Sequence, residues 1–219
     1  MNRLFNLDSP IMRFLSRMAD LIILNLITLV CCLPVITIGA AISAMYASVY
    51  KLQQEEGSLW KNYFHAFKIN FVQATIQWLL LLVMAGLLVF ALIYYSGLSI
   101  SFSSVLQFIC IFLLLLWLFC TSWVFPLQAK FHVTVKGNLK NAMICAFAFL
   151  PVTLGIAVLN AVPFVLFWLA PMVFFQVGYL WIFLWFALAG WLNTGLLKKP
   201  FSVIAAEETN PPTDNTGRK

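Results

Sequence analysis

The sequence predicts an all-α fold: a polytopic transmembrane helical bundle of about six spans, with both termini cytoplasmic. Three observations predict it. The chain is 63% hydrophobic and only 9% charged; soluble domains run near 45–50% apolar and about 25% charged, so lipid has to be the solvent for most of this surface. The 219 residues hold about six stretches of the roughly 20 apolar residues that a bilayer crossing takes. That leaves short loops and a single transmembrane domain, 1–205. The charges, finally, are confined to alternate connections.

The first span, 10–33, begins at Ser9-Pro10. Serine is a good N-cap, and proline fits the first helical position, where no intrahelical partner awaits its N–H. Arg13, Arg17 and Asp20 lie in the first turns; from Leu21 to Leu33 only Asn25 and Thr28 are polar, and Pro34 ends the span. Basic residues ahead of an apolar run resemble a signal peptide. However, Leu33-Pro34-Val35 lacks the small-x-small cleavage pattern and a second apolar segment follows at once, so the segment reads as a retained span. The remaining spans are 36–50, 72–95, 103–129, 147–170 (interrupted by Pro151 and Pro163) and 172–197. The stretch 206–219 is polar, carries Pro211-Pro212 and has no apolar periodicity, which predicts a disordered cytoplasmic tail.

The connections after spans one, three and five contain no Lys, Arg, Asp or Glu. Those after spans two and four carry Lys51, Glu55, Glu56, Lys61, Lys68, Lys130, Lys136 and Lys140. Basic residues accumulate on the cytoplasmic side, so this alternation predicts an even number of spans with both ends inside and almost no external surface. The net charge of +6 has the same origin and is not read as nucleic acid binding.

Two amphipathic segments, 58–71 and 137–147, are expected to lie in the inner interface. In the first, Trp60, Phe64 and Phe67 share a face opposite Lys61, His65 and Lys68. Gly57, Leu59, Ala66 and Phe67 recur as Gly137, Leu139, Ala146 and Phe147, each pair 80 residues apart. Four matches are compatible with chance or with duplication; a duplication would make a weak parallel repeat about an axis along the membrane normal. Either segment floats at the headgroups or contacts a partner protein.

Candidate sites are few. The five cysteines lie in apolar stretches without a C-x-x-C pair, and only two histidines are present, which gives no basis for a zinc site or disulfide framework. No phosphate loop, intramembrane carboxylate pair or nucleophilic triad is visible, so neither enzymatic activity nor a cofactor is expected. Asp20 is the one acid near a span; it pairs with Arg17 three residues earlier or grips a partner or proton. Asn25, Gln77, Gln107, Asn160, Gln176 and Asn193 lie in spans, where amides bond to neighbouring helices or line a polar path. Gly39, Ser43 and Ala47 form a small-residue stripe suited to close helix packing, within the chain or with a partner.

Several runs carry a resemblance. Met1 to Pro10, Phe14-Leu15-Ser16-Arg17-Met18-Ala19-Asp20-Leu21 and Cys32-Leu33-Pro34-Val35-Ile36-Thr37-Ile38-Gly39 resemble the start of the bacterial YesL-type membrane proteins. So do Glu55-Glu56-Gly57, Phe64-His65-Ala66-Phe67-Lys68-Ile69-Asn70-Phe71 and Gln73-Ala74-Thr75. The resemblance covers the chain up to about residue 80. It implies a domain of unknown function in the bacterial cell membrane, associated with carbohydrate importers of the ATP-binding-cassette class. The implied role is an accessory or assembly subunit contacting the permease subunits through its helices, the alternative being a stand-alone transporter or channel for a sugar or ion. No catalytic residue is carried over; Asp20, Gly39, Phe67, Asn70 and Gln73 stand as positions for structure or contact. The bilayer and the permeases are the expected partners, with self-association left open.

Overall fold

The structure is a computed structural model that describes residues 10–97, 102–131 and 133–209. All regular elements among them are helical. The first helix, α1 (Pro10–Cys32), ends before Pro34 and is followed by one 3-10 turn, Val35–Thr37, and α2 (Ile38–Gln53). A tight connection in an apolar setting must satisfy its own carbonyls. Thr37 does most of this: its hydroxyl donates to Cys31 O at 2.7 Å and to Pro34 O at 2.8 Å. The Trp78 indole N–H donates to another, Val35 O, at 2.8 Å.

α2 is the central post of the bundle. From Gly39 to Val49 every residue but Ile42 is buried, because the run is built of Ala, Gly and Ser that let neighbours approach on several sides. α1, α3, α4 and α9 all pack on it.

α3 (Leu59–Ser96) is one unbroken helix of 38 residues. The segment 58–71 is therefore not a separate interfacial helix, as its amphipathic pattern predicts, but the first turns of a span. The reason is local: no proline or glycine interrupts the chain between Leu59 and Val83, so nothing stops the i→i−4 ladder. At 1.5 Å per residue α3 is about 57 Å long, against roughly 30 Å of hydrocarbon. A tilt of about 40°, the steep end for transmembrane helices, shortens its projection only to about 44 Å. About a dozen residues must then stand outside the hydrocarbon. They belong at the N-terminal end, where Lys61, His65 and Lys68 are exposed, since Trp78 to Tyr95 carries no charge.

α4 (Ser103–Lys130) returns beside α3, held by Trp117 Nε1 donating to Leu81 O at 2.9 Å. The second amphipathic segment does form its own helix, α5 (Val135–Ala148), capped by the Thr134 side chain accepting from Gly137 N at 3.3 Å. Phe149 leaves helical geometry (φ −117°, ψ 47°) and α6 (Leu150–Leu169) follows. Pro151 thus sits in the first turn of α6, where its missing N–H costs nothing, and starts the fifth span instead of interrupting it. Pro163 remains inside the helix.

The sixth span also differs from its expected bounds of 172–197. A short α7 (Pro171–Gln176) and the single turn α8 (Gly178–Leu180) lead into a π-helical segment, Trp181–Trp185, and then α9 (Phe186–Thr209). The tail expected from 206 is helical to Thr209, and its remainder lies outside the described residues. Among the described residues, six helical segments are long and apolar enough to cross a membrane, and the helices leave much of their apolar surface bare for lipid, α3 and α6 above all.

Candidate functional site

A charged cleft of about 420 Å³ opens where α1, the end of α2 and the start of α3 meet. Arg13, Ser16, Arg17 and Asp20 line it from α1, Glu55, Glu56 and Gly57 from the connecting turn, and Asn62 from α3. The turn sets the geometry. Glu55 and Gly57 have φ of 60° and 67°, the left-handed region, which costs an ordinary L-residue about 1–2 kcal/mol and suits glycine. Asn62 ties the turn down: its Nδ2 donates to Glu56 O at 2.8 Å, and Lys51 Nζ lies 3.5 Å from its Oδ1. Glu56 N donates to Lys51 O at 3.0 Å.

The left-handed turn brings the Glu55 carboxylate to α1, where Oε1 is 2.6 Å from Arg17 Nη2. Arg17 therefore makes its ion pair with Glu55, 38 residues away, and not with Asp20 as the sequence spacing predicts. Asp20 is half-buried on the wall of the same cleft. Residues of the predicted polar set (Arg13, Arg17, Asp20) and of the E-E-G run are thus brought together, and the mixed charge suits a ligand or protein loop presenting both signs.

The other predicted positions scatter. Gly39, Ser43 and Ala47 are all buried in the bundle. A Cβ on Gly39 would lie 2.5 Å from Ala74 O and from Trp78 Cβ, so the stripe is used within the chain, backbone against backbone. Trp60 and Phe64 are 52% and 49% exposed and stack on each other at 6.2 Å. Phe67 is half-buried against Tyr63 and Phe71.

Several of the amides tie one helix to another segment. Asn25 Oδ1 accepts from Ala187 N at 2.8 Å, just past the π-helical segment, where the shift of register disturbs the normal ladder. Gln73 Nε2 donates to Val133 O, and Asn70 lies buried on the same helix. Asn138 Nδ2 donates to Gln77 Oε1 at 3.2 Å and to Val124 O at 3.0 Å. Nearby, Trp123 Nε1 donates to Thr153 Oγ1 at 2.8 Å, and that hydroxyl donates to Ala146 O at 2.9 Å. Between α2, α6 and α9, Asn193 Nδ2 reaches Tyr46 Oη at 3.1 Å and Asn160 Oδ1 at 3.4 Å, while Gln53 Nε2 donates to Thr194 Oγ1 at 2.6 Å. Sequence reasoning singled out neither Tyr46, Gln53, Asn138 nor Thr153. Asn138 and Thr153 sit near helix ends and read as boundary residues, and Tyr46 and Gln53 as interfacial ones. Among the described residues, no three His, Cys, Asp or Glu are grouped to hold a metal ion.

Residues 21–92, covering the second half of α1, all of α2 and most of α3, match a family model described as "Protein of unknown function, DUF624". No curated protein and no solved structure matches the chain.

Proposed function

We propose that this chain is a non-catalytic subunit of the bacterial cell membrane that works by contact with another membrane protein, namely the permeases of a carbohydrate importer of the ATP-binding-cassette class. Its resemblance to the YesL-type proteins supplies the partner class. The observation that carries the contact reading is the projecting end of α3. About a dozen residues there stand outside the hydrocarbon, and Trp60 and Phe64 are stacked and exposed on them. Exposed aromatics are a common anchor of protein interfaces, and the charged cleft beside them offers a polar rim. With the small stripe of α2 engaged by α3, the binding surface falls to α3. The alternation of basic connections supports placing this end and both termini in the cytoplasm.

A stand-alone transporter for a sugar or ion has less support: a cavity of about 540 Å³ between the helices is walled mostly by apolar side chains. The test is recovery of the tagged chain from native-level expression in mild detergent. Importer permeases should accompany it in fixed proportion, and Trp60→Ala with Phe64→Ala should lose them without lowering thermal stability. Recovery of the chain alone from an extract with intact permeases overturns the proposal.

A further inference from the structure

Trp78 fixes how far the α1–α2 hairpin reaches along α3. Its indole bonds Val35 O in the turn, and a Cβ on Gly39, at the start of α2, would meet Trp78 Cβ and Ala74 O at 2.5 Å. The tip of the hairpin therefore stands level with Trp78. From there α3 runs on to Ser96, a further ~27 Å. α4 keeps pace with it: Trp117 bonds Leu81 O, and Ser103, where α4 begins, lies ~21 Å farther out.

This outer part of the α3–α4 pair is apolar and bare. Val83, Leu87, Phe90 and Ile93 of α3 and Phe108 and Phe112 of α4 are all exposed, and no charged residue occurs between Trp78 and Phe125. Such surface belongs in hydrocarbon, so the outer ends of α3 and α4 lie at the far face of the bilayer and not beyond it. With hydrocarbon ~30 Å thick and α3 tilted by anything up to ~40°, the hairpin tip stops ~21–27 Å short of that face.

The hairpin's own dimensions agree. α1 rises ~18 Å between Asp20 and Cys32, and α2 ~20 Å between Ile38 and Lys51, which is too little uncharged length for a crossing of ~30 Å. A bilayer thins around a short span, but the adjoining α3–α4 pair needs its full thickness. α2 is also the least apolar and the most buried of the six long segments, with a mean hydropathy of 1.4 against 2.6 for α3, so protein and not lipid surrounds it. At the tip Leu33, Val35 and Ile36 are exposed, while Thr37 and Trp78 serve three of the turn's carbonyls, as backbone in hydrocarbon requires.

We infer that the α1–α2 hairpin is re-entrant: it enters the membrane from the side of the charged ends, turns within that leaflet and leaves by the same side. Its tip is then a surface for the acyl chains of one leaflet. Two crossings and none leave the same residues on the same sides, which is why the alternation of charge along the sequence is silent on the point.

The experiment uses the full chain in a background without native cysteines. Leu33→Cys, Leu87→Cys and Ser96→Cys are treated with a membrane-impermeant maleimide in intact cells and in inverted vesicles. Ser96→Cys should label from one side, whichever it is, and Leu33→Cys about tenfold less from either, since its thiol lies in hydrocarbon. The same variants, spin-labelled in phosphatidylethanolamine and phosphatidylglycerol vesicles, are then compared for collision with oxygen and with a water-soluble nickel chelate. Oxygen should dominate at positions 33 and 87, and the chelate at position 96. Should Leu33→Cys fail to fold, Ile36→Cys reports on the same turn. Labelling of a tip cysteine from either side at the level of Ser96→Cys, or a tip spin label dominated by the chelate, overturns the re-entrant hairpin. A label at position 87 dominated by the chelate overturns it as well, because α3 and α4 would then project into water.

Discussion

Arg17 and Glu55, 38 residues apart, meet at 2.6 Å and fasten the first helix to the turn that follows the second. Glu55 reaches Arg17 only because its backbone adopts φ of 60°. The side chains are 33% and 76% exposed, so the pair contributes at most about 1 kcal/mol, less at high salt. Arg17→Glu should lower the melting temperature of the purified protein by a few degrees at most, and the exchange Arg17→Glu with Glu55→Arg should recover part of the loss. Glu55→Gly loses the pair but relieves about 1 kcal/mol of left-handed strain, and should come out near neutral in the same melt.

Gly39 gives a larger effect. Its absent Cβ would stand 2.5 Å from the Ala74 carbonyl and from Trp78 Cβ, and neither is the free end of a flexible side chain. Gly39→Leu must push α2 from α3, with a loss of about 1–3 kcal/mol or more, visible as reduced yield and an earlier melt in detergent. Gly86 has open space around its Cα, so Gly86→Ala should be neutral or raise stability by up to about 1 kcal/mol through helix propensity.

Asn138 carries two bonds from one nitrogen, to Gln77 Oε1 and Val124 O. Asn138→Ala leaves both acceptors short of a donor in the bundle interior. Hydrogen bonds between transmembrane helices average about 0.6 kcal/mol and reach about 1.7, so a loss near the upper figure is expected from denaturant or thermal unfolding. Thr153→Val, which strips the acceptor from Trp123 Nε1, should cost a similar amount, and the indole fluorescence of the folded protein should shift.

The proposed orientation has a direct readout. In a background without native cysteines, Ser96→Cys should react with a membrane-impermeant maleimide on intact cells, whereas Glu56→Cys should react only after lysis. Both positions are exposed, so the difference reports the side of the membrane.

The spans were legible because their signal is compositional: long apolar runs separated by charge or proline survive any detail of packing. What escaped was local continuity and distant pairing. The first amphipathic stretch looks like an interfacial helix, since Trp60, Phe64 and Phe67 share a stripe, yet with no breaker before Val83 the helix runs on into the span. At the second stretch Pro151 marks the start of a span where it reads as an interruption. Arg17 and Asp20 are natural partners by spacing, whereas Glu55 is reached through a non-glycine residue at positive φ, which sequence rarely signals. The π-helical segment has no sequence signature at all; its trace is the polar Asn25 across from it on α1, whose carbonyl serves Ala187 N.

The turn between α1 and α2 bears on how the chain enters the bilayer during synthesis. Thr37 closes two of its carbonyls from within the hairpin itself, so the two helices can partition into lipid as a pair, with no charge to drag across. Val35 O has to wait for Trp78, which lies 43 residues later in the chain. Until α3 packs beside the hairpin, that acceptor has no protein donor. The hairpin tip is thus finished by a residue of the third span, not by its own two helices.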